Sequence, residues 1–119
     1  MQVIHLTKAE FLKKVNDFES HPGELKYEGD KPCIVDFYTD WCSYCIALSP
    51  LLDEIAKEYD GKIYVYKVDV DQEEALESEY RIRTIPTVLF IPMQGEPVRR
   101  QGGIGKAELK KIIDEKLIG

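Results

Sequence analysis

The chain has 119 residues, three cysteines and a formal net charge of -6 at pH 7. A chain of this length can bury a core without disulfides, so a disulfide-stapled scaffold is disfavoured and the cysteines are free for chemistry. The acidic balance argues against nucleic acid as a partner, because phosphate binding needs a basic surface. No apolar run approaches the roughly 18 residues that cross a bilayer, so we expect no membrane partner either.

The first half of the chain alternates strand and helix patterns. A short apolar run, "VIHL", precedes Thr7–Glu10, whose capping-box spacing opens a predicted helix. A loop insertion containing Pro and Gly is expected at about residues 20–31. "CIVDFY" is a predicted buried strand, apolar except for Asp36, and a long helix with a kink at Pro50 is expected over about residues 41–59.

The second half continues the alternation and ends in a hairpin and a helix. "GKIYVYKVDV" is a second β-branched strand, and Asp71, three residues before Glu74, has the spacing of a helix N-cap. "TVLFI" and "PVRRQ" flank a turn that contains Gly95, and "KAELKKIIDEKLI" is amphipathic. The order βαβαβαββα predicts an α/β fold, one domain over residues 1–119 with a central mixed β-sheet flanked by helices.

The motif "WCSYC" places Cys42 and Cys45 where a predicted strand gives way to a helix. Reactive groups in such sheets tend to lie beyond the carboxyl ends of parallel strands. A sulfur at the start of a helix lies among free N–H groups and at the positive end of the helix dipole, which favours the thiolate of Cys42. Cys45 lies one turn further in and is more shielded, so we predict that Cys42 attacks a substrate disulfide and Cys45 resolves the mixed disulfide.

Asp36 is the candidate base for this chemistry, because it is the carboxylate of an otherwise apolar strand. A buried carboxylate without partners has a raised pKa that suits proton transfer near neutral pH. The alternative is a structural aspartate that is hydrogen-bonded within the sheet. Lys67 on a neighbouring strand is expected to tune that charge, and the alternative for Lys67 is a side chain that faces water.

Five segments, in the same order along the chain, resemble the thioredoxin family. "VDFYTDWCSYC" is similar to the family's "VDFWAxWCGPC", and "LSPLLDEIA" is similar to its kinked second helix. "YVYKVDVD" resembles its third strand with a lysine, "IRTIPT" resembles its segment ending in "IPT", and Gly102 and Gly103 match the small residues beside its active site. The resemblance runs from about residue 3 to the last helix, leaving out the loop.

The resemblance implies the thioredoxin fold and a thiol–disulfide oxidoreductase that reduces protein disulfides. It implies a redox-active disulfide between Cys42 and Cys45 with no other cofactor and no metal, and it matches Asp36 and Lys67 to the family's buried acid and lysine. It also implies a cis peptide at Ile85–Pro86 facing the cysteines. The substrate-binding residues that it assigns are Trp41, Ile85, Pro86, Gly102 and Gly103.

The partners implied by the resemblance are disulfide-containing substrate proteins and an electron donor. The donor is a thioredoxin reductase in the cytoplasm or a membrane electron donor outside it, and we expect a monomer. The N-terminus lacks the features of a signal peptide, so the cytoplasm is expected. The alternative is a periplasmic or exported protein whose signal peptide has been removed.

The chain departs from the family pattern between and beside the cysteines. Ser43-Tyr44 replaces the common Gly-Pro, and the Tyr44 amide is a possible extra donor to the Cys42 thiolate. A stabilised thiolate makes a stronger oxidant, so we hypothesise a less reducing couple than the roughly -270 mV of a typical thioredoxin. Ile46 replaces a lysine found in many members, which leaves a rim suited to apolar or unfolded partners.

Other interpretations of the cysteines are less favoured. Zinc binding by Cys42 and Cys45 would need two more ligands, and no second Cys-x-x-Cys or histidine pair exists in the chain. A non-catalytic domain that holds peptides beside Pro86 has no need of both cysteines, whereas an exported disulfide isomerase or oxidase remains an alternative. Cys33 is interpreted as a small buried hydrophobe rather than a second redox thiol. Neither His5 nor His21 is assigned a role.

Overall fold

A computed structural model of the chain describes residues 2–119. Its elements are β1 (Ile4–His5), α1 (Lys8–Lys14), β2 (Cys33–Tyr38), α2 (Ser43–Glu58), β3 (Tyr64–Asp69), α3 (Glu74–Glu79), β4 (Thr87–Ile91), β5 (Val98–Gln101) and α4 (Lys106–Ile112), which continues as a π-helical turn at Ile113–Leu117. The predicted order βαβαβαββα is confirmed.

The five strands form one sheet in the order β1-β3-β2-β4-β5. The strands β1, β3 and β2 are parallel, whereas β4 and β5 are antiparallel to their neighbours, so the sheet is mixed as predicted. All six residues of β2 are buried, which explains its nearly unbroken apolar sequence. Because β2 is the middle strand, its carboxyl end and the cysteines that follow lie at the centre of one end of the sheet.

Helices cover both faces of the sheet. On one face, Ile34 of β2 belongs to an apolar cluster with buried residues of α2 and α4, such as Leu52 and Leu109. On the other face, Val35 belongs to a second cluster with Phe11 of α1 and residues of α3. Because successive strand residues point to opposite faces, the apolar run of β2 supplies both clusters. No helix within residues 2–119 is long and apolar enough to cross a membrane.

Several local predictions are confirmed. The hydroxyl of Thr7 accepts from the amide of Glu10 at 3.3 Å, and the amide of Thr7 donates to the Glu10 carboxylate at 3.0 Å, which completes the capping box of α1. The helix α2 continues through Pro50 as one element. Gly95 has a φ of +96° in the turn between β4 and β5, a conformation that glycine adopts without a steric penalty.

The predicted N-cap at Asp71 is wrong. The residue that caps α3 is Glu73, and it makes no side-chain capping bond. The carboxylate of Asp71 instead accepts a 2.8 Å hydrogen bond from the indole N–H of Trp41. A tertiary partner has therefore taken the acceptor that the local pattern assigned to the helix.

The segment between α1 and β2 is irregular apart from an isolated bridge between Asn16 and Tyr27. The buried Asn16 side chain accepts from the Lys26 amide at 2.9 Å and donates to the Tyr80 hydroxyl at 2.9 Å. These bonds anchor the middle of the expected loop at residues 20–31, at Lys26, to the body of the protein.

Candidate active site

Cys42 and Cys45 lie at the start of α2, close to the carboxyl end of β2. Cys42 is the N-cap of α2, and its Sγ accepts a hydrogen bond from the Cys45 amide at 3.3 Å. Both are free thiols, 8% and 2% exposed respectively, so Cys42 is the more accessible of the two. An N-cap acceptor at the positive end of the helix dipole is stabilised when it carries negative charge, which is the arrangement expected for an attacking thiolate.

Ile85 forms the wall that faces the cysteines. The Cys42 thiol lies 3.7 Å from the Ile85 carbonyl oxygen, and the Ile85 side chain packs on the cluster of Tyr38, Cys42 and Cys45. The Ile85–Pro86 peptide bond is cis. The carbonyl of Pro86 accepts from the Gly102 amide at 2.8 Å, so these three residues of the predicted substrate-binding set lie together beside the sulfurs.

The rim around the cysteines is apolar and exposed. Trp41, Tyr44 and Ile46 are 71%, 66% and 59% exposed. The Tyr44 ring lies on Gly103, where an added Cβ would stand only 3.0 Å from Cδ1 of the ring. A larger residue at position 103 would therefore press on the exposed Tyr44 ring and displace it by a few tenths of an ångström, a contact that had no signal in the sequence beyond the small residue itself.

The amide of Tyr44 is not a recorded donor to Cys42. Among the described residues, the amide that donates to Cys42 Sγ is that of Cys45. The predicted hydrogen bond from Tyr44 is therefore absent from the part of the chain that the structure covers. An effect of the Ser-Tyr pair on the Cys42 thiolate therefore acts through the partial positive charge of the N–H groups in the first turn of α2 and not through a direct hydrogen bond.

Asp36 lies in β2 with no exposed surface. Within residues 2–119, neither carboxylate oxygen has a hydrogen-bond partner, so the alternative of an aspartate hydrogen-bonded within the sheet is wrong. Burial raises the pKa of Asp36 to about 7, against an opposing effect of the Lys67 charge. Desolvation outweighs the nearby cation, because a carboxylate without hydrogen bonds loses more by leaving water than one such charge restores.

Lys67 is paired with Asp36 in the register of β2 and β3. Its side chain is buried, which makes the alternative of a water-facing lysine wrong. The ammonium donates to the Ser49 hydroxyl at 3.0 Å and lies 4.3 Å from the centroid of the Tyr38 ring. Neither partner was predicted from the sequence, although Ser49 follows Cys45 by four residues and so lies on the same face of α2.

Cys45 is held as a thiol. Burial is the main cause that raises its pKa to about 12, followed by its hydrogen bond with Cys42, and the charges of Cys42 and Asp36 act in the same direction. A thiol with this pKa does not ionise unaided at neutral pH. Cys45 can act as a nucleophile only if a neighbouring base takes its proton.

Cys33 and His5 are not among the groups proposed for proton transfer or disulfide exchange. Cys33 is fully buried in β2, and burial raises its pKa to about 12, so its interpretation as a small buried hydrophobe is confirmed. His5 has a partner that the sequence did not reveal, because its Nδ1 lies 3.2 Å from the Tyr38 hydroxyl. Among residues 2–119, no group of three or more histidine, cysteine or acidic side chains is placed to hold a metal.

Comparison with known proteins places this geometry in a family. The thioredoxin family profile matches residues 2–115. The thioredoxin of Borreliella burgdorferi is 38% identical over 112 residues, which cover 94% of this chain and 95% of that protein. The thioredoxin of Haemophilus influenzae is 34% identical over 115 residues, 96% of each chain, and the M-type chloroplastic thioredoxin of Spinacia oleracea is 38% identical over 110 residues, 92% of this chain and 61% of that protein.

A solved structure agrees with the sequence relatives. The crystal structure of chloroplastic thioredoxin z matches this fold with a TM-score of 0.81 at 26% sequence identity, and the match covers 97% of this chain and 94% of that chain. The predicted thioredoxin fold is thereby confirmed. With a family profile over residues 2–115 and two relatives matched over 95% and 96% of their own length, the chain belongs to the thioredoxin family.

Proposed function

We propose that the protein is a protein-disulfide reductase that uses the Cys42/Cys45 dithiol. Membership of the thioredoxin family supports thiol–disulfide oxidoreductase chemistry. The observation that carries the finer proposal is that the charge of Asp36 acts on the buried Cys45 thiol. The Asp36 carboxylate is itself buried and has no hydrogen-bond partner within residues 2–119. These are the two groups that a resolving step needs.

The first proposed step is attack by Cys42. Its thiolate sulfur bonds to one sulfur of the substrate disulfide, and the other substrate sulfur leaves as a thiolate that takes up a proton. The product is a mixed disulfide between Cys42 and the substrate. The greater exposure of Cys42 supports this assignment, because the substrate must reach the sulfur that attacks.

The second proposed step is resolution by Cys45. Asp36 takes the proton of Cys45, and the Cys45 sulfur then attacks Sγ of Cys42 and releases the second substrate sulfur as a thiolate, which takes up a proton. The substrate disulfide is reduced by two electrons, and the dithiol is oxidised to a disulfide. A base with a pKa of about 7 is suited to this transfer at neutral pH, whereas an ordinary aspartate would be a weaker base.

The substrate is proposed to lie along the rim and the wall of the site. The Ile85 backbone would pair with an extended substrate strand, as in other strand-addition modes of peptide recognition. Trp41 and the backbone at Pro86, Gly102 and Gly103 would complete this surface. The Ile85 carbonyl at 3.7 Å from the Cys42 thiol supports the placement, because a strand paired there would pass directly over the sulfur.

The partners follow from the electron balance of the two steps. The oxidised couple needs two electrons for each turnover, and we propose that a thioredoxin reductase supplies them in the cytoplasm. A membrane electron donor is the alternative for a periplasmic or exported setting. The protein is proposed to act as a monomer on disulfide-containing proteins.

The proposed function is tested by catalysed reduction of an interchain protein disulfide with dithiothreitol as electron source. The wild-type protein should accelerate the reaction, and Cys42→Ser should lower the rate by about 100-fold or more. Cys33→Ala is the matched control, since Cys33 is buried away from the site, and it should leave the rate unchanged. Undiminished activity in Cys42→Ser would refute the assigned nucleophile.

The exposed rim supports a second candidate, a disulfide isomerase. Trp41, Tyr44 and Ile46 together present apolar surface that suits unfolded chains. The two candidates differ in reduction potential, with a value near roughly -270 mV typical of a reductase and one near roughly -180 mV typical of an isomerase. Equilibration with defined thiol buffers, followed by Trp41 fluorescence, separates them.

A further inference from the structure

The Lys67 ammonium is held by two groups other than the carboxylate beside it. Its Nζ donates to the Ser49 hydroxyl at 3.0 Å and lies 4.3 Å from the centroid of the Tyr38 ring. Asp36 is the direct cross-strand neighbour of Lys67, and yet neither of its oxygens has a hydrogen-bond partner in the described chain. A buried carboxylate beside a buried ammonium without a bond between them requires a reason.

We propose that Ser49 and Tyr38 are positioning residues that hold the Lys67 ammonium away from the Asp36 carboxylate and thereby keep that carboxylate available as a proton acceptor for Cys45. The inference rests on the proposed function, in which Asp36 is the base. Tyr38 also packs beside Cys42 and Cys45, but neither it nor Ser49 exchanges a proton or an electron in this assignment. They act through Lys67.

The two contacts are of a kind that competes with an ion pair. A hydrogen bond from an ammonium to a hydroxyl is charge-assisted, and an ammonium over an aromatic face is attracted by the negative charge of the ring face. Both satisfy the cation without neutralising Asp36. If the same ammonium reached the carboxylate, a close opposite charge would lower the pKa of Asp36 by about one to three units and weaken it as a base.

The position of Ser49 makes the arrangement specific. Ser49 follows Cys45 by four residues, so one face of α2 presents the resolving thiol and the group that holds Lys67. An open pocket of about 200 Å³ is lined by Cys45, Ser49, Lys67 and Tyr38 among others. Lys67 is thus held beside Asp36 and Cys45, the two groups between which the proton is proposed to move.

Other titratable or charged groups line the pockets beside Lys67 on the surrounding elements. They are His5 of β1, Tyr38 of β2, Asp40 after β2, Asp69 of β3, and Glu73 before α3. From α2 they are Asp53, Lys57 and the Cys45 thiol. The carboxylates of this set are exposed or half-buried, so water screens them, whereas Asp36 is fully buried and responds most strongly to the position of the ammonium.

The test is a titration of the Asp36 carboxyl carbon by ¹³C NMR in the reduced protein without substrate. In Ser49→Ala, the freed ammonium moves to the carboxylate, and the midpoint of Asp36 should fall by about one pH unit, which is tenfold in its acid constant. Tyr38→Leu should lower the midpoint as well, whereas Tyr38→Phe, which keeps the ring, should not. The acidic limb of the pH–rate profile of disulfide reduction should move with the midpoint.

The control is the same substitution without the lysine. In a Lys67→Met background, Ser49→Ala should leave the Asp36 midpoint unchanged, because no ammonium remains to be released. A midpoint that stays fixed in Ser49→Ala, or that falls equally in both backgrounds, would overturn the proposal. If the midpoint moves as expected but the wild-type protein reduces no disulfide, the positioning of Lys67 stands and the proposed function fails.

Discussion

Asp36 destabilises the folded protein at neutral pH. Burial raises its pKa from 3.8 to about 7, so the folded state holds this proton more tightly than the unfolded chain does. The free energy of unfolding therefore falls as the pH rises from about 3.8 to about 7 and loses nothing more from this group above that range. A pKa raised from 3.8 to about 7 corresponds to a loss of roughly 4 kcal/mol in the free energy of unfolding as an upper bound.

We expect Asp36→Asn to stabilise the protein in a pH-dependent way. The free energy of unfolding should rise by about 2–4 kcal/mol at about pH 8 and change little at about pH 4, where the native carboxyl is already protonated. Urea unfolding at the two pH values measures the difference. Asp53→Asn, at an exposed position of α2, is the control and should have a small effect at both. An equal gain at both pH values would contradict the argument.

The dipeptide between the cysteines is expected to set the redox potential. The Tyr44 amide makes no recorded bond to Cys42, but it is one of the free N–H groups in the first turn of α2, whose field favours the thiolate. We expect the wild-type potential to lie above roughly -270 mV, and Tyr44→Pro to lower it by about 30 mV, because proline removes that N–H group.

The Tyr44→Pro measurement has an internal control. Ser43→Gly changes the other residue of the dipeptide but keeps every backbone N–H, so it should move the potential less than Tyr44→Pro does. Equilibration with defined thiol buffers measures all three proteins. A wild-type potential at the typical thioredoxin value, or a Tyr44→Pro variant with an unchanged potential, would refute the hypothesis.

The residues of the site differ in how far the sequence could predict them. The cysteines, Asp36 and Ile85 carry local patterns, and the structure brings them to one end of the sheet. Ser49 carries no pattern of its own, because its role exists only where α2 packs on β3. The spacing of Ser49 from Cys45 predicts which face of α2 it occupies, but its partner Lys67 is known only once the helix is packed on the sheet.

At the scale of elements, α1 depends on its capping box. The Thr7 hydroxyl satisfies the amide of Glu10, and the Glu10 carboxylate satisfies the amide of Thr7. We expect Thr7→Ala to lower the free energy of unfolding by about 1 kcal/mol, because an N–H group at the start of the helix loses its acceptor. Urea unfolding near neutral pH measures the loss.

The control for Thr7→Ala is a hydroxyl that caps nothing. Ser78 lies exposed in the last turn of α3, so Ser78→Ala should be neutral or slightly stabilising, as helix propensity predicts. A similar loss in both variants would show that the capping box contributes nothing specific. The seven-residue length of α1 makes the cap important, since so short a helix gains little from its own hydrogen bonds.

Element order was predictable where the periodicity was strong, and errors arose where tertiary contacts compete with local ones. The spacing of Asp71 and Glu74 fits an N-cap, but the Trp41 indole lies within 2.8 Å of the Asp71 carboxylate and takes it. No local pattern reports an indole that lies 30 residues earlier in the chain. The register of Asp36 against Lys67 is likewise a property of the assembled sheet, and it places a lone acid opposite a lone lysine.

At the scale of the whole molecule, both edges of the sheet are protected against pairing with another chain. The edge strand β1 has only two residues. The other edge, β5, carries Arg99, which donates to the carbonyls of Tyr80 and Arg81, and Arg100, which pairs with Glu108 at 2.7 Å. Short strands and charged side chains on an edge oppose strand addition between copies.

We therefore expect a monomer in solution. Beyond the edges, the exposed rim of Trp41, Tyr44 and Ile46 is far smaller than the roughly 20–30 residues a side of a stable interface. Sedimentation equilibrium should return a mass near 13.7 kDa at every protein concentration tested. A mass that rises toward the dimer would contradict this expectation, and Ile46→Lys would then identify the surface: recovery of the monomer would place the contact at the rim, whereas an unchanged dimer would place it at a strand edge.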